Sequence, residues 1–277
     1  MSLILTNCVY FLLTSSHKAL IQGSVFANGE SPLKESSDLE IIDTTFKWKY
    51  FLWYCHNVVC NDVTILETGR SGVWYTHNIV FNNCDISAPK TFRRCVGITL
   101  NNCKMPNALE TFWNCRDIKI NNVEANGDYF GLNSENIEIN NLRLIGNYAF
   151  DGGKNIIIRN SYLETKDAFW NCENVTVIDS VIKGEYLSWN TNNIKFINCK
   201  IESHQGLCYM KNLTLENCEL IHSDLCFEYC ENIKADLISS IDSIKNPISG
   251  EIKAKSIGEI ILDKTIIDPT KTKIIVK

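Results

Sequence analysis

Proline is scarce, at five in 277 residues, and methionine scarcer still, at three. The prolines and fourteen glycines are spread along the chain, so no Pro- or Gly-rich linker divides it. No run reaches the ~18 apolar residues of a membrane-spanning helix, so a membrane partner is not expected. No block of like charge or basic stripe stands out, and the net charge is −5, which argues against nucleic acid as a partner. No lysine or arginine precedes Lys18, and Asn7, Cys8 and Thr14 interrupt the opening apolar stretch. A secretion signal wants a positive start and a purer apolar run, so this stretch reads as a first strand, with a signal as the competing reading. Helical periodicity is missing as well.

What the chain has is a repeat. The phrase "Asn, aliphatic, any, apolar" begins at Asp38, Asn57, Asn78, Gly97, Asp117, Asn136, Asn155, Asn174, Asn193, Asn212 and Asn232, in steps of 19 to 21 residues. One and three residues after each start stand Ile, Val, Leu or Phe almost without exception, as in Ile118 and Ile120. The residue between is variable and often charged, as in Lys119. Alternation of period two with β-branched enrichment is a strand with one buried face. A further apolar column (Phe46, Ile65, Ile86, Met105) lies eight residues after the start. Five after it, the first ten repeats all carry Asn or Asp, short side chains that tolerate left-handed backbone and can bond along a column. A unit this short has no room for two helices, and the leucine-rich consensus is absent.

The reading is an all-β, single-stranded right-handed parallel β-helix, a solenoid of about 11–13 coils of ~19 residues. It forms one domain over 1–277: degenerate N-terminal coils over 1–37, regular coils over 38–235 and a C-terminal cap over 236–277.

Several phrases carry a resemblance. "GESPLKES" (29–36), "FKWKYFLWYC" (46–55), "FRRC" (92–95), "ETFWNC" (110–115), "KDAFWNC" (166–172) and "GEYLSWN" (184–190) resemble a family of domains of unknown function, DUF3737. Its members are read as right-handed β-helices of the pectin-lyase-like superfamily, and the resemblance covers roughly 20–265. It implies the fold. For activity it implies only that a carbohydrate ligand is worth considering, because that superfamily includes polysaccharide lyases and hydrolases.

Nine of the thirteen cysteines fall in two columns, two before and six after the start, where they exchange with Ser, Thr, Val and Gly. Such a column selects for small volume, not for zinc or disulfide chemistry. Buried inert thiols favour the cytoplasm.

Four before the start, five of the six tryptophans share a column with charges: Lys34, Trp53, Trp74, Arg93, Trp113, Asp151, Trp170, Trp189 and Glu228. The charges predict an outward column, an aromatic strip ~40–50 Å long at ~4.8 Å per coil. Aromatic faces pack on sugar rings, so the expected ligand is a carbohydrate or glycoconjugate, held by these tryptophans with Lys34, Tyr148 and Glu185. Asp128, Asp151 and Asp167 come from three consecutive rungs, and Gly152 and Gly153 clear space beside Asp151. Two carboxylates could serve hydrolysis; a basic side chain with carboxylates around a divalent cation could serve β-elimination. Arg93 and Glu110 complete the catalytic candidates. No metal or other cofactor is otherwise expected. The alternative is a non-enzymatic solenoid that uses the aromatic face for a protein partner or self-association. Oligomeric state is not legible in the sequence.

Overall fold

A computed structural model describes the backbone of residues 3–6 and all of residues 13–277. The opening strand reading falls on Leu3–Thr6, which is a strand; the rest of residues 1–12 lies outside the described residues. The chain is an all-β parallel solenoid of about 14 turns at ~19 residues per turn, and the described residues include two short 3-10 turns. The count exceeds the 11–13 expected because the ends coil too. His17–Gln22 pairs in parallel with Ser37–Ile42, and Ile233–Leu237, Gly250–Ala254 and Thr272–Val276 pair in succession.

One turn shows how the sequence sets the coil. His56–Asn61 is a six-residue strand that buries Val58 and Cys60. Asp62 then turns the chain in left-handed backbone at φ 55°, and Thr64–Ile65 forms a second, two-residue strand that buries Ile65. A third side of tight bends returns the chain to the next start. The start column is left-handed at every turn from Asp38 to Asn232, and the column five residues later from Asp43 to Asn217, as the Asn and Asp pattern demands. Their amides also bond along the axis: Asn78 Nδ2 donates to Asn57 Oδ1 at 3.1 Å, and Asn122 Nδ2 to Asn102 Oδ1 at 2.7 Å.

The structure divides into two compact units, up to Leu144 and Ile145–Lys277. In the first, His56–Asn61, His77–Asn82, Val96–Asn101 and Arg116–Asn126 stack as parallel neighbours. In the second, Lys154–Arg159, Glu173–Ile178, Asn192–Ile197 and Lys211–Ile221 do the same. Each core is built from columns of like residues. Phe26, Phe46 and Phe51 stack in the first unit, and Phe150 on Phe169 in the second.

All twelve described cysteines are buried and unpaired. Small volume is only half of what their columns require. Cys95 Sγ donates to Val73 O at 3.2 Å, and Thr76 Oγ1, in the same column, donates to Leu52 O at 2.6 Å. Thiol and hydroxyl thus satisfy one buried carbonyl in turn, which is why Cys, Ser and Thr exchange there. Burial pushes the Cys55 thiol up to about 11 and the Cys208 thiol up to about 12. No described helix is long and apolar enough to cross a membrane.

Candidate functional site

The tryptophan column stands where the period puts it, and its rings are half-buried, stacked on their neighbours. In the first unit Trp53 and Trp74 stack at 5.1 Å between centroids with 8° between planes, close to the spacing of the coils themselves. Arg93 takes the next place in the pile, its guanidinium 5.0 Å from the Trp74 ring and 4.3 Å from the Trp113 ring. Glu110 Oε2 lies 2.7 Å from Arg93 Nη2 and 3.1 Å from Lys90 Nζ. The indole N–H groups are also committed: Trp53 donates to Ser71 O, Trp74 to Lys90 O and Trp113 to Tyr129 O, at 2.7–2.9 Å. Ring faces are covered by neighbours and N–H groups by backbone. Lys34 sits 5.7 Å from the Tyr54 ring and 3.2 Å from Glu35.

In the second unit Trp170 and Trp189 stack at 5.5 Å and 9°. Trp170 Nε1 donates to Tyr186 O at 2.7 Å, whereas the buried Trp189 Nε1 has no partner. The outward expectation fails at the end of this column: Glu228 is buried, as is Cys208, which stands four before the Asn212 start and so shares the column. Glu228 is tolerated there because Lys245 Nζ lies 2.8 Å away and Gln205 Nε2 donates to it at 3.2 Å.

The carboxylates are likewise placed one by one. Asp151 Oδ1 accepts from Asn171 Nδ2 at 3.0 Å, as one rung of an amide ladder. Asp167 is 4% exposed, its Oδ1 has no partner, and burial pushes its carboxyl above the ordinary range against the pull of Lys166. Glu185 pairs with Lys166 at 3.2 Å, and Tyr148 is half-buried with left-handed backbone at φ 60°. Asp128 is half-buried and belongs to the first unit; Asp151 and Asp167 belong to the second. Among the described residues, no three or more His, Cys, Asp and Glu side chains are grouped to hold a metal ion.

The sixth tryptophan, Trp48, lies outside the column, and pattern reading passed over it. It is 39% exposed and stacks on no other described ring. It lines a cleft of about 330 Å³ with Lys49, Glu67, Thr68, Arg70 and Pro89. The cleft arises from one irregular coil. The step from Asn57 to Asn78 is 21 residues, and its extra length folds as a 3-10 turn at Glu67–Gly69. Thr68 Oγ1 pins that turn to Lys47 O. Gly72 lets the loop settle on the core, because a Cβ there would lie 2.1 Å from the Phe51 ring.

Nine residues before their starts, the flanking repeats carry Gly29 and Gly69 where this one carries Trp48, so neither neighbour brings a ring to cover it. Lys49 Nζ pairs with Glu30 at 2.7 Å, which holds its ammonium above the ordinary range; the charge of Arg70 works the other way. Lys49 also lies 5.0 Å from the Tyr50 ring, and Tyr50 packs 4.6 Å from Trp53. The cleft therefore adjoins the end of the first stack.

The model of one family, "Protein of unknown function (DUF3737)", matches residues 11–275, and the chain belongs to that family. Among solved structures, the Streptococcus pneumoniae surface protein and adhesin PfbA is similar at 13% identity, over 84% of this chain and 91% of that one, with a TM-score of 0.48. The A-module of the Azotobacter vinelandii mannuronan C-5 epimerase AlgE4 is similar at 9% identity, over 100% and 89%, with a TM-score of 0.33. A comparison with curated proteins gives no match.

Proposed function

We propose that this member of the family is a carbohydrate-binding solenoid whose ligand docks in the Trp48 cleft and extends along the outer edge of the adjoining Tyr50, Trp53 and Trp74. The observation that carries the reading is the state of Trp48. Its ring is exposed and unstacked beside polar and charged groups in a cleft, the combination that packs against a sugar face. Binding is favoured over cleavage because the acids and bases named above are otherwise engaged. Arg93 and Glu110 hold each other, Asp151 is a ladder rung, Glu185 is paired, and Asp167 is buried. The thiol columns, bonded to carbonyls, support a reducing compartment, the cytoplasm.

The test is a glycan array together with intrinsic tryptophan fluorescence on three proteins: wild type, Trp48→Ala, and Trp113→Ala with Trp170→Ala. Wild type should bind at least one oligosaccharide, Trp48→Ala should lose it, and the double variant should keep it. No ligand for wild type, or binding indifferent to Trp48→Ala, would overturn the reading.

A further inference from the structure

We infer that the sugar taken by the Trp48 cleft is acidic, with an anionic group on the ring held by Arg70 and Lys49 while the ring packs on Trp48. The inference rests on the proposal that this cleft binds a glycan, and adds which chemical class of glycan it is.

The charges in the cleft carry the argument. The chain has a net charge of −5, yet two of the six residues lining this cleft are cationic and one is acidic. Most lysines on the coils are matched across rungs, as Lys166 is with Glu185, Lys183 with Glu202 and Lys200 with Glu219. Arg70, like Arg94 and Arg116, has no described carboxylate within ion-pairing distance, but of these three it is the one that lines the cleft. It is also close enough to Lys49 to oppose that ammonium's charge. Glu30 already faces Lys49, so of the two cations lining the cleft Arg70 is the one whose charge an incoming anion would answer, with Lys49 beside it.

The remaining walls suit a sugar better than a bare ion. Trp48 and Pro89 are apolar surfaces for the C–H face of a pyranose, and the Glu67 carboxylate and Thr68 hydroxyl oxygen can accept from ring hydroxyls. The guanidinium fork matches a planar carboxylate with two parallel hydrogen bonds. At about 330 Å³ the cleft is at the small end of ligand sites, holding one terminal mono- or disaccharide unit of a glycan whose remaining units would lie outside it, along Tyr50, Trp53 and Trp74. A uronic acid and a sulfated sugar share this chemistry, and the experiment separates them.

Full-length protein is titrated with a panel of neutral oligosaccharides and with the same oligosaccharides oxidised at C6 to uronates or sulfated at C6. Binding is followed by calorimetry and tryptophan quenching at low and high salt. The expected result is that uronates bind about tenfold more tightly than their neutral parents, with an advantage that shrinks in high salt. Arg70→Gln should erase that advantage while leaving neutral affinity in place, and Arg70→Lys should restore part of it. Equal gains from sulfation would support recognition of the anion itself. Neutral and acidic ligands bound equally, with Arg70→Gln silent, would overturn the acidic assignment and leave the carbohydrate reading standing. No binding by any member would remove both. Trp48 and Arg70 are exposed, and unchanged thermal melts of their variants confirm that the fold is intact.

Discussion

Asn102 is a direct test of why the coils carry asparagine at their turns. Its backbone is left-handed at φ 53°, its Nδ2 donates to Asn83 Oδ1 at 3.2 Å, and its Oδ1 accepts from Asn122 Nδ2 at 2.7 Å. Both bonds are exposed, so together they contribute about 1 kcal/mol, the low end of the usual range for each. Holding alanine in left-handed backbone costs about 1–2 kcal/mol. Asn102→Ala should therefore cost about 2–3 kcal/mol. Asn102→Gly loses the same two bonds and adds about 0.5–1 kcal/mol of unfolded-chain entropy, but escapes the left-handed cost, for a total of about 1.5–2 kcal/mol. Asn102→Asp keeps tolerance of the turn and can still accept from Asn122, so it should cost least. The predicted order of stability is Asn, Asp, Gly, Ala, the reverse of the usual preference for alanine over glycine. Urea unfolding followed by far-UV circular dichroism ranks the midpoints. Alanine equal to or above glycine would refute the argument that backbone conformation, not the amide ladder, dominates these positions.

The two stacked tryptophans of the second unit should differ in what their N–H is worth. Trp170→Phe removes a bond to Tyr186 O and should cost about 1 kcal/mol beyond the lost ring area, whereas Trp189→Phe removes a buried N–H without a partner and should cost less in the same urea assay. Asp167 has its pKa raised by burial, so the fold binds its proton more tightly than the unfolded chain does. The penalty for ionising it is present in full above its folded pKa and vanishes as pH falls toward the unfolded value. Asp167→Asn should stabilise near pH 7, with the gain shrinking on acidification in melts run across pH. The twelve described thiols are all buried, so none of them should react with a thiol reagent at pH 8 within minutes, while all should react in urea.

Much of the fold was legible because a solenoid repeats its physics at every turn. Asn and Asp at fixed points report left-handed backbone, and all the positions so read adopt it. The small-residue columns are legible for the same reason, although their shared donor role needs the Val73 and Leu52 carbonyls to be seen. Glu228 was misread as outward because Lys245, its neutralising partner, comes from the segment where the period dissolves.

The tryptophans show where a column pattern stops being informative. A pattern tells which residues lie above one another, but not which way their planes turn. When coils repeat at ~4.8 Å, aromatic rings in register can satisfy one another by stacking along the axis, and the 5.1 Å and 5.5 Å pairs have done so. The longer and more regular an aromatic column is, the more completely it consumes the faces a ligand would need. On such a scaffold the ring left for a ligand is one whose neighbours above and below offer nothing to stack on. Trp48 meets that condition in the sequence itself, flanked in the repeat by Gly29 and Gly69. The coil that follows it is the single step of 21 residues, the extra length needed to wall a cleft beside it. On the proposed reading of the Trp48 cleft, then, the break in this solenoid's period points to the binding site better than the period does.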